Sequence, residues 1–401
     1  MKIEYSQEAE SYRLTVRTLL QKYLPPGWRG IGNLDGEEYA DFLRSWRALL
    51  YEHRLLAPAW PTEYGGGGLS PAERVVLAEE FARAGVPTGT ANDEFGIDML
   101  GNTLIEQGTQ EQRSYFLPRI LSGEIVFCQG FSEPDAGSDL ANVRTRAEII
   151  DGKWVVNGQK IWTSDGMAAN WIFALTRTDP ESHRHRGLTM LLIPIDQPGV
   201  EVRPIKMLTG ASEFCETFFT DAITETEFIV GNVGDGWPVA MGLLGHERAE
   251  TAVNLPLRFE AELDRLIALA RQTNRDDDPI VRHGIAACHA RVSAMRWLGW
   301  RSVTSWLAGD PPGPESSIAK LLWSEYHVQS STLAMDILGA DALIAAGRPA
   351  PAYYCDEVGA DPFATASWQG TSLNALGSVI YAGTSDIQRN IIAEKVLGLP
   401  R

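Results

Sequence analysis

The chain has 401 residues, 44% of them hydrophobic, which is the composition of a globular protein long enough for two or three domains. A formal net charge of -17 argues against nucleic acid as a partner, because phosphate binding requires a basic surface. The apolar runs fall far short of the roughly 20 residues of a membrane span, and the N-terminus lacks a signal-peptide pattern. We therefore expect a cytoplasmic protein without membrane insertion.

Cysteine and histidine spacing gives no indication of a metal site. Four cysteines stand singly along the chain: Cys128, Cys215, Cys288 and Cys355. They form no CxxC pair, so they predict buried thiols rather than a disulfide framework. His283 and His289 are six residues apart, a spacing that does not put them on one helix face.

Residues 1–122 predict an N-terminal helical domain, and its clearest helix lies in SPAERVVLAEEFARAG. Ser70 is a predicted N-cap, Pro71 occupies the first helical position, and Glu73 completes a capping box. Apolar residues follow at helical spacing, and Gly85 lies just past the end. A helix beginning after Ser70 is therefore predicted.

Residues 123–232 predict a small all-β domain, and residues 233–401 return to a helical period. The stretch WVVNGQKIW predicts a hairpin with Asn157-Gly158 as its two-residue turn. Further strands are predicted at WIFALTRT, LTMLLIPI, VEVRPI and ETFFTD. The fold class is therefore α+β in three parts, with helices, then a β domain, then a helical bundle.

The strand-rich region opens on QGFSEPDAGSDL, residues 129–140. A turn rich in Gly, Ser, Asp and Pro offers backbone N–H groups and hydroxyls to an oxyanion-rich ligand such as a pyrophosphate or a flavin pyrimidine edge. Taken alone, the composition favours an ordinary turn, because most such turns bind no ligand.

Four motifs together resemble the acyl-CoA dehydrogenase family. They are SEPDAGSDL, NGQKIWTSDG, GWPVAMGLLGHERA and GTSDIQRNIIAEKVLGLP, in the family's order and spacing over nearly the whole chain. The resemblance implies a helical N-terminal domain, a middle β-barrel and a C-terminal four-helix bundle that hold FAD and an acyl-CoA thioester. It also implies oxidation of the Cα–Cβ bond to a trans-2-enoyl-CoA, with electrons passed to an electron-transfer flavoprotein.

The resemblance also implies a set of cofactor-binding residues. Carried over by motif, these are Gln129, Phe131, Ser132, Gly137, Ser138, Trp162, Thr163, Ser164, Arg271, Thr384, Ser385 and Asp386. Ser138 is expected near the pantetheine and pyrophosphates, Trp162 on the flavin ring, and Ser164 towards flavin N5. A capping box of Ser385 and Gln388 predicts a helix that starts at the C-terminal motif.

The catalytic base poses a question, because many family members carry a glutamate where this chain has Ala382. Removing an α proton from a thioester requires a carboxylate raised in pKa by a desolvated pocket. In the isovaleryl and long-chain branches the base precedes an arginine on a bundle helix, and this chain resembles them with Glu247 before Arg248. Glu247 is the expected base, against the alternative of an exposed carboxylate paired with a neighbour.

The expected substrate-binding residues surround these positions. They are Ser138, His246, Arg248, Ala382 and Gly383. The basic loop SHRHRG, residues 182–187, is open to two interpretations, a contact with CoA phosphates or a solvated surface loop. Branched, long and polycyclic acyl groups all remain compatible, and an acyl carrier protein is the alternative to CoA.

Assembly is open as well. In the family's homotetramers a neighbouring subunit completes the FAD site with Arg-x-x-Phe-Gly, a later glutamine and a Gln-x-x-Gly-Gly loop. Here Arg271 survives, the Phe-Gly pair is missing, His283-Gly284 stand near the glutamine position, and Asp336 replaces the second glutamine. The chain is therefore either part of an α2β2 heterotetramer with a homologous subunit or a homo-oligomer that binds the adenosine half differently.

Two other functions share this fold. A flavin oxidase or monooxygenase needs no thioester enolisation, so Glu247 together with Ser138 argues against it. A non-catalytic partner subunit would tend to lose the carboxylate that Glu247 retains.

Overall fold

The computed structural model describes residues 5–31, 34, 36–307, 316–343 and 367–400, without the side chains of residues 246–254, 303, 306 and 307. The chain divides into two compact units. The first comprises Met1–Ala48, Leu69–Thr88 and Arg248–Arg401, and the second comprises Leu49–Gly68 and Gly89–Glu247. Among the described residues no helix has the length and apolar character needed to cross a membrane.

The described helices follow the predicted order, with the β region between them. They are α1 Gln7–Tyr23, α2 Gly36–Glu52, α3 Pro71–Ala84, α4 Ala91–Asp93, α5 Asn102–Gln107, α6 Gln110–Ser122, α7 Gly236–Gln272, α8 Pro279–Leu307, α9 Ser316–Leu338, α10 Trp368–Ser378 and α11 Ser385–Ile391. A π-helical stretch, Glu94–Gly101, joins α4 to α5. The predicted fold class is confirmed.

Helix α3 begins as its sequence predicts. The backbone N–H of Glu73 donates to Ser70 Oγ at 3.3 Å, and the Ser70 N–H donates to the Glu73 carboxylate at 2.9 Å. Gly85 ends the helix with a φ of 61°, a left-handed conformation that glycine adopts at low cost. The capping box is therefore confirmed at both of its hydrogen bonds.

The core of the first unit lies in its helical bundle. Helices α7, α8, α9 and α10 contribute buried side chains to one apolar cluster. At its centre Phe259 is fully buried, and its ring meets Tyr326 edge-on with a centroid separation of 5.1 Å. Each helix hides one apolar face in this way, because its own side chains cannot cover it.

The second unit is built on one sheet of eight described strands. They are β1 Phe127–Gly130, β2 Arg146–Ile150, β3 Lys153–Ser164, β4 Trp171–Arg177, β5 Leu188–Pro194, β6 Val200–Ile205, β7 Phe214–Glu225 and β8 Ile229–Val230. The strand order is β6-β7-β3-β2-β4-β5-β8, with β1 parallel to β4. Strands β4 to β7 confirm the four strand predictions downstream of the hairpin.

The predicted hairpin at Asn157-Gly158 is wrong. Strand β3 runs straight through these residues, and the turn between β2 and β3 falls at Asp151-Gly152, which have φ angles of 51° and 79°. Asn157-Gly158 instead lies at a register shift in the pairing with β7. A Cβ on Gly158 would lie 2.7 Å from Thr145 Cα, so the glycine is needed for close strand approach rather than for a turn.

Gly158→Ala should destabilise the second unit more than Gly152→Ala. Both glycines have positive φ, which costs a residue with a Cβ about 1–2 kcal/mol. At Gly158 the clash with Thr145 adds about 1–3 kcal/mol, whereas a Cβ on Gly152 meets nothing within 4 Å. Thermal unfolding of the two variants measures the difference, and equal midpoints would contradict the close approach.

The prediction of buried thiols is confirmed for the three cysteines that the structure describes. Cys128, Cys215 and Cys288 are buried free thiols. Burial raises the pKa of Cys288 to about 11, so this thiol stays protonated at neutral pH. Cys355 lies outside the described residues.

Candidate active site

The segment expected to line the flavin leaves β1 and turns back on itself. Glu133 and Ala136 exchange two backbone hydrogen bonds, of 3.1 and 3.0 Å, which close the turn. The N–H of Ile161 on β3 donates to the Ser132 carbonyl at 2.9 Å. Phe131 is 6% exposed and packs edge-on against Phe173. The Phe131–Ser132 stretch is thereby fixed beside β3.

Trp162 on β3 is held in an unusual conformation. Its φ is 61°, in the left-handed region that bulky side chains rarely adopt, and 54% of the residue is exposed. The second register shift of the β3–β7 pair falls between Ile161 and Thr163. Such an irregularity re-aims the side chain it contains, and strained backbone of this kind concentrates at functional sites.

The two residues after Trp162 differ in accessibility. Thr163 is fully buried, and its hydroxyl accepts a hydrogen bond from Thr217 at 3.2 Å. Ser164 is partly exposed and pairs with Phe214 of β7. Of the two hydroxyls, the Ser164 hydroxyl is the one accessible to a ligand.

Three further expected residues of this unit, Gln129, Gly137 and Ser138, could contact a ligand. Gln129 Nε2 is buried without a hydrogen-bond partner among the described residues. Such an orphaned donor is costly unless a bound group or water satisfies it. Gly137 and Ser138 are exposed directly after the turn, where a Cβ on Gly137 would meet nothing within 4 Å.

The C-terminal motif in the first unit begins its helix at Ser385, as predicted, but with a different capping residue. Thr384 is the N-cap, since its hydroxyl accepts from the Ile387 N–H at 3.2 Å. The predicted Ser385–Gln388 box is wrong, because the Gln388 amide instead donates to the Ala382 carbonyl at 2.9 Å. That bond closes a turn in which Ala382 and Gly383 have φ angles of 51° and 89°.

The same turn contains a second orphaned polar atom. Ser385 Oγ is buried and has no hydrogen-bond partner among the described residues. Asp386 is exposed and pairs with Arg389 at 3.3 Å. Because Thr384 caps the helix, the Ser385 hydroxyl is available to hydrogen-bond a bound group.

The three residues of the HER motif lie within the N-terminal half of α7, whose backbone is helical from Gly236 to Gln272. The side chains of His246, Glu247 and Arg248 lie outside the described part of the structure. Their placement on a bundle helix agrees with the resemblance, and the role of Glu247 stays a prediction.

The residues of the altered half-site share one end of the bundle. Arg271 is exposed at the end of α7, and His283 is exposed at the start of α8. Arg275, in the turn between them, donates to the Asp336 carbonyl near the end of α9 at 3.4 Å. Its hydrogen bond to Asp278 at 2.8 Å holds the pKa of that carboxyl below its usual range.

The basic loop lies against the turn that carries Ser138. Arg177 ties the loop down by donating to the carbonyls of Arg184 and Arg186 at 3.0 and 2.7 Å. The Arg184 guanidinium in turn lies 3.7 Å from the Asp139 carboxylate, next in sequence to Ser138. His185 packs on Trp237 at the start of α7, with 4.2 Å between ring centroids.

Sequence reasoning missed a buried ion pair inside two of its own motifs. Lys160 Nζ lies 2.8 Å from the Glu133 carboxylate, and their side chains are 0% and 7% exposed. A signal was present, since Lys160 has the same two-residue phase on β3 as the buried Trp154 and Val156. A lysine in that phase requires a buried partner.

Family models match the chain along most of its length. Residues 6–124 match the acyl-CoA dehydrogenase N-terminal domain, residues 128–222 the middle domain, and residues 234–397 the C-terminal domain. The chain therefore belongs to the acyl-CoA dehydrogenase family.

Similar proteins point the same way. The chain is 41% identical over 405 residues to acyl-CoA dehydrogenase IpdE1 of Mycobacterium tuberculosis, covering 98% of this chain and 99% of that protein. Among solved structures it is similar to the Tcur3481-Tcur3483 steroid ACAD, with a TM-score of 0.81, 30% identity and full coverage of both chains. The ChsE4-ChsE5 complex of Mycobacterium tuberculosis gives a TM-score of 0.80 at 28% identity, again with full coverage.

The protein is accordingly an acyl-CoA dehydrogenase and an FAD flavoprotein. The flavin oxidase and non-catalytic alternatives are not favoured. The residues present fit the cofactor, because each unit offers a buried polar atom without a partner among the described residues, Gln129 Nε2 and Ser385 Oγ. Both belong to the set that the resemblance assigns to FAD.

Proposed function

We propose that Glu247 is the base of this dehydrogenase and that the substrate is a bulky, polycyclic acyl-CoA. The observation that carries the choice of base is Ala382, whose methyl side chain stands where many relatives have a glutamate. A methyl group cannot accept a proton, whereas Glu247 lies on α7 before Arg248, as in the isovaleryl and long-chain branches.

The chain's own residues divide the work as follows. Glu247 takes the α proton of the thioester, and hydrogen bonds to the thioester carbonyl stabilise its enolate character. When bound, FAD supplies the acceptor for the β hydride. Phe131, Ser132, Trp162 and Ser164 would hold the flavin in the second unit.

The remaining site residues complete the proposed contacts. Gln129, Gly137 and Ser138 would also contact the cofactor, and Thr163, whose side chain is buried, would flank it as part of strand β3. Thr384, Ser385 and Asp386 of the C-terminal motif are proposed cofactor residues as well, and Arg271 is the one retained residue of the half-site that would contact a neighbouring subunit's FAD. His246, Arg248, Ala382 and Gly383 contact substrate together with Ser138. We also propose domain limits of 1–122, 123–232 and 233–401, which the extents of the three family models support.

The substrate class rests on similarity to a steroid ACAD. That enzyme is the Tcur3481-Tcur3483 protein, to which this chain is 30% identical over its whole length. With the proposed base on α7, position 382 carries the methyl group of alanine instead of a carboxylate side chain. A fused-ring acyl group is therefore the class we propose.

We propose that the chain assembles with a homologous subunit in an α2β2 heterotetramer. Two of the similar structures carry pairs of protein names, Tcur3481-Tcur3483 and ChsE4-ChsE5. The exposed carboxylate of Asp336, where relatives have a neutral amide, would repel a dinucleotide's phosphates. Arg275, the nearest arginine in the α7–α8 turn, is occupied by Asp278. This end of the bundle is therefore poorly suited to complete a neighbour's FAD site.

The electron acceptor that we propose is an electron-transfer flavoprotein. Family membership supports it, since transfer to such a carrier is what the resemblance implies.

An anaerobic absorbance titration of the purified protein tests the proposal. We expect the oxidised-flavin band to bleach with a steroid-type acyl-CoA and to persist with short straight-chain acyl-CoAs. Bleaching by short chains alone would refute the substrate class.

The FAD content and mass of the same preparation test the assembly. A colourless chain that gains FAD only when co-expressed with a homologous subunit supports the heterotetramer. One FAD per chain in a homo-oligomer would contradict it.

A further inference from the structure

The buried pair of Lys160 and Glu133 is placed where the proposed flavin segments meet. Lys160 lies on β3 two residues before Trp162, and Glu133 follows Phe131 and Ser132 in the turn. Their charged atoms are 2.8 Å apart, and neither side chain exceeds 7% exposure. Fully buried lysines are rare in proteins unless they are paired.

All three protons of the lysine ammonium have acceptors. Lys160 Nζ donates to the Glu133 carboxylate at 2.8 Å, to the Phe131 carbonyl at 3.1 Å and to the Leu175 carbonyl at 2.7 Å. An ammonium has three donors, so its hydrogen-bonding capacity is used in full. The Lys160 side chain thus connects the Phe131–Ser132 stretch, strand β3 and strand β4.

The carboxylate is equally well satisfied. Glu133 accepts the backbone N–H groups of Arg144 at 2.6 Å and Thr145 at 2.9 Å, besides the lysine. Burial alone would raise the pKa of Glu133, but the Lys160 charge and these hydrogen bonds bring it below its usual value. Burial lowers the pKa of Lys160 to about 8 against the effect of Glu133, so the ammonium form still predominates at neutral pH.

Stability alone does not account for such a pair. Apolar side chains of similar volume often replace a buried ion pair without loss of stability, because removing charges from water is costly. Apolar side chains could not, however, hold the Phe131 carbonyl in a defined direction. Together with the Ile161 N–H bond to Ser132, the pair fixes two consecutive carbonyls of the segment.

We infer that Lys160 and Glu133 are positioning residues that fix the Phe131–Ser132 segment against the strand carrying Trp162 and Ser164, and so set the affinity and midpoint potential of the flavin. The inference rests on the proposed flavin-lining role of these segments. Beyond that role, the inference identifies Lys160 and Glu133 as the pair that aligns the two segments. Enzyme sites depend on such supporting residues to hold the contacting groups in place.

The test uses the FAD-loaded enzyme with the double variant Lys160→Met/Glu133→Gln, which removes both charges and keeps the side-chain volumes. The variant leaves buried backbone groups without partners, so we expect a lower thermal midpoint, and besides this a rise of at least about tenfold in the FAD dissociation constant. We also expect at least about a tenfold change in the ratio of affinities for oxidised and reduced FAD. That change corresponds to about 30 mV in the two-electron midpoint potential.

Glu80→Gln is the matched control. Its side chain is 4% exposed and paired with Arg13 and Arg17, in the first unit. We expect this variant to lower the thermal midpoint without changing the potential or the visible circular dichroism of the flavin. A double variant that behaves like Glu80→Gln would overturn the positioning role and leave a purely structural one.

Two more variants separate this inference from the proposed site. Ser132→Ala and Trp162→Leu should each weaken FAD binding if the segments line the flavin. If they do so while the Lys160/Glu133 double variant binds FAD as wild type, only the positioning role is overturned. If none of the three variants changes FAD binding or the midpoint potential, both the positioning role and the flavin-lining assignment are overturned.

Discussion

Glu247→Gln is expected to lower kcat by about 10²- to 10⁴-fold, the usual contribution of a positioned general base. The amide keeps the size of the side chain and cannot accept the α proton, so substrate should still bind. The measurement is anaerobic mixing with acyl-CoA. We expect a shift of the flavin band on binding without the bleaching that follows proton and hydride removal.

Glu260→Gln is the control for this prediction. Glu260 lies on the same helix, α7, and pairs with Arg296 at 2.6 Å, with 45% of its side chain exposed. We expect turnover within about twofold of wild type, because exposed ion pairs contribute little. Full turnover in Glu247→Gln with bound FAD would show that Glu247 is not the base. Another carboxylate would then have to remove the α proton.

Phe259→Ala is expected to destabilise the bundle by about 3–5 kcal/mol, the range for removing a fully buried aromatic side chain. Phe259 is 0% exposed, and its ring contacts the edge-on ring of Tyr326 at 5.1 Å and the tilted ring of His327 at 5.4 Å. Loss of the ring leaves a cavity in the bundle core, because the surrounding helices can move only partly into the empty space. Urea unfolding monitored by far-ultraviolet circular dichroism measures the effect.

Ile280→Ala provides the comparison on the bundle surface. Ile280 is 79% exposed at the start of α8, so we expect a change within about 0.5 kcal/mol. Phe259→Leu should fall between the two and covers the case in which Phe259→Ala fails to fold. Equal effects for Phe259→Leu and Ile280→Ala would mean that the packing at Phe259 is not part of the bundle core.

The features that depend on neighbours in sequence were predictable. The capping box of Ser70 and Glu73 and the terminating Gly85 lie within one helix and its flanks, and each formed as predicted. The strand predictions downstream of the hairpin also held, because short apolar runs bounded by turn residues are local patterns. The family followed from four motifs, whose residue identities require no coordinates.

The hairpin failed because local turn chemistry offered two candidates. Asn157-Gly158 and Asp151-Gly152 both have the composition of a two-residue turn. Pairing with the 12-residue strand β7 decided between them, since a continuous β3 forms a ladder along its length with that partner. The C-terminal cap failed for a similar reason, because either Thr384 or Ser385 has a suitable hydroxyl.

The sequence by itself determined the family, the α+β order of elements and the identity of the residues proposed to act. Tertiary structure alone decided which of those residues are strained, buried or left with unsatisfied groups, as with the left-handed Trp162 and the orphaned Gln129 amide. It also joined Lys160 to Glu133, 27 residues away. The two-residue phase of β3 could have indicated that Lys160 is buried, but not which residue is its partner, because that pairing arises only when segments from separate parts of the chain meet.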